Sequence, residues 1–150
     1  MEFSCPRWAQ LPQIALYMDQ VLLVLNQALA PLSMDETPAV TGTMINNYVK
    51  MKLAAPAVKK KYDREHVARF VMICLLKKAL SMTEITAVLE RLLQERSLEA
   101  AYDLFCGELE LRLRAPDGSD NGNCPAELAV AVRAVACKIL LEQMIQKECK

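Results

Sequence analysis

Apolar residues recur at helical spacing in six stretches of the chain, and the polar residues between them mark where each begins and stops. Over residues 15–29, Leu16, Tyr17, Val21, Leu22, Val24, Leu25, Ala28 and Leu29 share a helical register that Pro31 ends. Residues 31–40 hold two prolines, two acids and a serine and read as a loop. Thr41 then suits the N-cap of a second helix with Met44, Ile45, Tyr48 and Met51 on one side. Thr43, Asn46, Asn47 and Lys50 fall opposite, at i, i+3, i+4 and i+7. Pro56 closes this helix, because the residue before a proline is driven out of the helical region. Residues 57–62 form a short extended piece carrying Lys59, Lys60 and Lys61.

Asp63 is the expected N-cap of a third helix. Its register puts Val67, Phe70, Val71, Cys74 and Leu75 on one side and Ala68, Met72, Ile73 and Leu76 on another, so it should be the central buried helix. It stops near Lys77 and Lys78, cations that suit a helix C-terminus. Ser81 and Glu84 make a capping box for a fourth helix, whose stripe is Ile85, Val88, Leu89, Leu92 and Leu93. A fifth follows over 98–113 with Leu98, Tyr102, Phe105, Leu109 and Leu113 in register and Gly107 as its weak point. After a loop over 115–125, Pro125 opens a last helix through Leu128, Val132, Val135, Ile139 and Ile145. No strand signal of comparable length occurs, so an all-α fold is expected, with at most a small two-stranded hairpin at the lysines.

Composition narrows the class. A chain of 150 residues, 53% hydrophobic and 24% charged, can bury its own core, which argues against disorder. The longest apolar run, 67–76, is interrupted by Arg69 and too short for a bilayer, and no basic-then-apolar leader opens the chain. A soluble, cytoplasmic protein without membrane partners is expected. The six cysteines include no CxxC pair and read as reduced thiols. Cys106, Cys124, Cys137 and Cys149, spaced by 18, 13 and 12, match no compact ligand set and read as core or surface thiols.

The zero net charge conceals an uneven distribution. Residues 50–78 hold nine Lys and Arg against two acids, a balance of +7, while the segments before and after it are acidic. Such a block suits a polyanion, or else is a solvated basic face. Asn46 and Asn47 have the side chains that pair bidentately with adenine edges, with Thr41, Thr43 and Lys50 beside them. Lys59, Lys60, Lys61 and Arg64 suit phosphates, and Tyr62 either reaches one through its hydroxyl or packs half-buried. His66, the single histidine, has no acid-base partner at readable spacing and reads as structural or as a phosphate-side residue. DGSDNG, residues 117–122, copies half a calcium loop, but Pro125 and Leu128 stand at positions nine and twelve. It reads as a helix connection, with no metal. Phosphate-loop, nucleophile-elbow, HExxH and paired-carboxylate motifs are missing, so no enzyme, catalytic residue or cofactor is expected.

The order of these elements resembles the winged helix-turn-helix domain of MerR-type bacterial transcription regulators. In that family a capped helix carrying a tyrosine, followed by Gly-Leu-Leu-x-Pro, enters the major groove. A Tyr-Arg-x-Tyr wing comes next, and Gly-Phe-Ser-Leu-x-Glu-Ile opens a later helix. Here Tyr48, Leu53 and Pro56 fall at matching offsets, Lys60 and Tyr62 match the second half of the wing, and residues 80–85 match the last segment. Asn46 stands for the usual arginine, Lys52 for the glycine and Lys59 for the first wing tyrosine, and the loop between the first two helices is longer. The wording LYMDQV, TMINNYVK, VKKKYDREH and LLKKALSMTEI is more similar still to a Gram-positive bacterial family of unknown function, a divergent MerR-like branch.

The resemblance implies a sequence-specific regulator of transcription that binds double-stranded DNA as a homodimer and answers to an unidentified effector or protein partner. Residues 1–96 would form the winged helix-turn-helix unit with its N-terminal helix. Residues 97–150 would be a helical extension, packed on that unit or forming the dimer interface. The competing expectation is a protein-interaction module whose lysine-rich face docks an acidic partner.

Overall fold

The structure is a computed structural model and describes residues 3–33, 38–118 and 124–148. Six helices follow in order: α1 (Met18–Leu29), α2 (Gly42–Lys50), α3 (Arg64–Leu76), α4 (Met82–Leu93), α5 (Leu98–Arg114) and α6 (Ala126–Glu148). Among the described residues there is no β-strand, and no helix is long and apolar enough to cross a membrane.

The helix starts are set by side chains that accept otherwise unpaired amide protons. The Thr41 hydroxyl accepts from Met44 N, Asp63 Oδ1 from His66 N, and Ser81 Oγ from Glu84 N. Glu84 returns the bond to Ser81 N at 2.8 Å, completing the capping box. α5 begins the same way on Ser97 and runs through Gly107 without a break.

α3 lies at the centre, packed against α1 on one side and against α5 and α6 on the other. Nine of its residues are buried, as expected of a helix apolar nearly all round. α5 and α6 pack along each other, and α4 closes onto both. One contiguous core runs from Phe3 through Phe70 and Phe105 to Ile139, so the last two helices share it with the first four.

Two features differ from the sequence pattern. Leu16, expected in the first helix, instead exchanges backbone hydrogen bonds with Tyr62, at 2.8 and 2.7 Å. The backbone of Leu16 is thus already committed two residues before α1 begins. The second feature is the N-terminal segment, which lies across α5. Arg7 donates to both carboxylate oxygens of Glu110, at 2.8 and 3.1 Å, and Cys5 N donates to Glu110 Oε2. Trp8 N donates to Asp103 Oδ1, and Phe3, Cys5 and Leu11 are buried.

Burial raises the Glu110 carboxyl, but the bonds from Arg7 and the Cys5 amide outweigh it and hold the group below its ordinary value. Its contribution to stability is therefore complete above the unfolded pKa, about 4.3, and is lost as pH falls through the lower folded value. Trp8 is the single tryptophan and reports on the segment. Glu110→Gln should red-shift its emission at neutral pH and lower stability by about 1–2 kcal/mol, partial exposure screening the ionic part. In the unaltered protein the same shift should begin only below about pH 4.

Candidate nucleic-acid interface

α2 docks on the body through Ile45 and Tyr48, both wholly buried, and turns Thr43, Asn46, Asn47 and Lys50 outward, all four exposed. Its nine residues span about 13 Å at 1.5 Å per residue, close to the ~12 Å width of a DNA major groove. Thr41 is exposed but already engaged as the cap. Beneath the helix, burial raises the Tyr48 phenol and pushes the Cys74 thiol up to about 11, so the joint between α2 and α3 is made by neutral groups. Lys77 Nζ lies 5.4 Å above the Tyr48 ring, a cation–π contact at the rim of the same joint.

The chain leaves α2 through a Schellman turn: Leu53 N donates to Tyr48 O and Lys52 N to Val49 O, both at 3.0 Å. The residue at the left-handed position of this motif is ordinarily glycine, and here it is Lys52, with φ of 64°. A second left-handed pair follows. Val58 and Lys61 exchange backbone hydrogen bonds, both 2.9 Å, around Lys59 and Lys60 with φ of 52° and 66°. That is a two-residue turn with both central residues left-handed, a geometry that favours Asn-Gly. The expected hairpin is thus reduced to this turn and the neighbouring Leu16–Tyr62 bridge, because pairing extends no further along either side.

Lys52, Lys59 and Lys60 are the only non-glycine residues with positive φ among those described, and all three are exposed. Each would relax if replaced by glycine, since a Cβ in this region costs on the order of 1 kcal/mol.

The other predicted residues are placed differently. Lys61 is half-buried with Nζ 5.1 Å above the Tyr17 ring, and the Arg64 guanidinium lies 5.7 Å over the Trp8 ring. Tyr62 is buried, edge-on to His66 and Phe70 at 5.3 and 5.7 Å. It packs more deeply than a junction tyrosine was expected to, because the Leu16 bridge draws its backbone inward.

Three residues outside the predicted site hold this surface in place, of which Arg69 and Asn26 carry no sequence signal. His66 Nε2 faces the Pro56 carbonyl at 3.2 Å and so carries the proton of that bond, while Nδ1 faces Asp63 N and Oδ1. Arg69 Nη1 donates to Leu53 O at 3.5 Å, so both ends of the link from α2 to the lysine turn are fastened to α3. Asn26 of α1 accepts from Val40 N at 2.9 Å and donates to Val40 O at 3.0 Å, fixing the chain just before α2. Burial raises the Asp63 carboxyl, but its bonds with His66 and neighbouring amides outweigh that and hold it below its ordinary value.

Among the described residues no group of three or more His, Cys, Asp and Glu could hold a metal ion. Residues 119–122 of the DGSDNG stretch, and Cys149, lie outside the described residues.

The described residues form an all-α fold of six helices that presents a short polar helix beside a strained lysine turn. The chain belongs to the family described as Domain of unknown function (DUF1836), whose model matches residues 6–105. Neither the curated proteins nor the solved structures contain a match. The matched stretch ends inside α5, so the rest of that helix and all of α6 lie beyond it.

Proposed function

We propose that this protein is a sequence-specific, dimeric DNA-binding regulator of transcription, built on a MerR-like winged helix-turn-helix core, with no catalytic activity of its own. The observation that carries the reading is the confinement of left-handed strain, among the described residues, to three exposed lysines around α2. A sequence under selection for stability alone would place glycine or asparagine there. Strain that persists is a feature of functional sites, and the function that needs positive charge at a turn tip is contact with a polyanion. In this reading Asn46 and Asn47 probe base edges, and Lys50, Lys52, Lys59 and Lys60 sit on the flanking phosphates. Lys61 and Arg64, held over aromatic rings, lend charge to the surface.

Dimerisation is assigned to α6. Its inner side buries Leu128, Val132, Val135 and Ile139, while Val130, Ala134, Cys137, Leu141 and Met144 are exposed on the outer side. Their 4-3-4-3 spacing is that of a coiled-coil seam, which is satisfied by a second copy of the same helix. Val130 and Ala134 continue into a groove of about 570 Å³ between α4 and α6, lined also by Leu80 and Val88.

Selection of bound sequences from random duplex DNA by the purified protein tests the reading. An enriched palindrome is expected. Asn46→Ala with Asn47→Ala should relax preference at one or two positions of each half-site by about 1–3 kcal/mol per base pair, roughly 5- to 150-fold. Should no sequence be enriched, and Lys59→Asn with Lys60→Gly leave DNA retention unaltered, the same face docks an acidic protein instead.

A further inference from the structure

Cys5 and Cys106 are 101 positions apart in the chain, yet their sulfurs lie 2.9 Å apart, less than an ångström beyond the ~2.05 Å of a disulfide bond. Both are buried. Tyr102 donates its hydroxyl proton to Pro6 O at 2.6 Å and presents its oxygen 4.0 Å from Cys5 Sγ, while Cys106 Sγ lies 3.7 Å from Pro6 O. The pair joins the N-terminal segment to the middle of α5, one residue outside each end of the stretch that matches the family.

We propose that Cys5 and Cys106 are a redox-active dithiol that hydrogen peroxide converts to a disulfide, locking the N-terminal segment onto α5. This inference is independent of the DNA-binding reading. Cys5 is the attacking sulfur and Cys106 the resolving one. The Cys106 S–H donated to Cys5 holds the Cys5 thiol below its ordinary pKa against the opposing effect of burial, and the same contact raises Cys106. The Cys5 thiolate attacks one peroxide oxygen: an S–O bond forms, the O–O bond breaks, and the departing hydroxide takes up the thiol's proton as water. Cys106 then attacks the sulfenic sulfur of Cys5. The S–S bond forms, the S–O bond breaks, and hydroxide leaves with the Cys106 proton as a second water. Two electrons pass from the two sulfurs to the peroxide.

Access follows from the segment's construction. Cys5 lies in irregular chain, held by Glu110 at its amide and by Arg7 and Trp8 beyond it, and a local opening of these bonds exposes both thiols without unfolding the helices. Reclosure returns the sulfurs to near-bonding distance, so the disulfide needs little backbone movement.

The test treats the reduced, full-length protein with a few equivalents of hydrogen peroxide and maps its peptides without reduction. The expected result is one dominant linked pair, Cys5 with Cys106, a mass lower by two hydrogens, and a melting temperature raised by roughly 5–10 °C until dithiothreitol reverses it. Cys5→Ser and Cys106→Ser should each abolish the linkage, and the Cys74→Ser, Cys137→Ser double variant should keep it. Because the mapping is done on the unaltered protein, the result does not depend on either single variant folding. Linkage that forms only in urea, or peroxide that oxidises other cysteines while Cys5 and Cys106 stay unlinked, overturns the proposal.

Discussion

Lys59→Asn combined with Lys60→Gly should raise the melting temperature of this protein and, on the proposed DNA-binding reading, should at the same time weaken its hold on duplex DNA of every sequence. Both central residues of the turn are left-handed, and lysine there carries a Cβ penalty that Asn tolerates and Gly lacks. Relief at two positions, offset by the greater freedom of glycine in the unfolded chain, leaves about 1–2 kcal/mol of net stabilisation. For a chain of this length that corresponds to a rise of roughly 3–8 °C. The backbone bonds between Val58 and Lys61 need neither side chain, so the turn itself persists.

Binding moves the other way. Each lost phosphate contact flattens the dependence of log affinity on log salt by about 0.9, so two per protomer flatten it by about 1.8. At 0.15 M salt the same relation weakens binding roughly 30-fold per protomer. Opposite signs in the two measurements distinguish this account from damage to the fold, which would lower both. A melting temperature that falls would show the left-handed lysines to be unstrained. Unchanged affinity in a more stable protein would remove them from the phosphate backbone. Lys52→Gly is the companion case: the Schellman bonds from Lys52 N and Leu53 N remain, the strain is relieved, and one charge beside α2 is lost.

How much of this was legible depends on the range over which each residue acts. Ser81 with Glu84, and Asp63 before the apolar run, act within one helical turn, and the capping bonds form where the sequence places them. The outward face of α2 was legible for the same reason, since Ile45 and Tyr48 fix which side is buried. Lys52 reads in the sequence as a departure from a glycine pattern, and only the backbone shows that it keeps the glycine's conformation. The strap across α5 had no local sign: Arg7 and Glu110 are 103 positions apart, and neither periodicity nor capping encodes their meeting. Asn26 was hidden similarly. It lies within the first helical stretch, and its hydrogen bonds to Val40 depend on how the intervening chain returns. In α6 the sequence pattern runs the inner stripe through Ile145, yet that residue is 46% exposed. A helix apolar on both sides gives no periodicity from which to tell the face covered by its own chain from the face left open.

That open face decides the second large effect. Leu141→Glu with Met144→Glu should turn a dimer into a folded monomer. The two side chains are 51% and 62% exposed in the single chain, so replacing them leaves the core untouched and should change the melting temperature of the isolated fold little. Across a two-fold axis the same changes remove four apolar side chains from the seam and set four like charges in it. Each side chain is worth about 1 kcal/mol when only its remaining exposed half is covered, so dimerisation should weaken by at least ~100-fold. Sedimentation velocity at micromolar concentration is the direct measurement, with circular dichroism confirming that helix content is kept. On DNA the variant should hold a single half-site with nearly native affinity, because α2 and the lysine turn are unaltered, and should lose the gain from two linked half-sites. If the unaltered protein sediments as a monomer and selects an asymmetric site, α6 is not the dimer seam and the lysine surface still stands. If it remains dimeric with both glutamates in place, the two-fold contact lies on another face, and the spacing of half-sites in the selected DNA would have to be derived from that face instead.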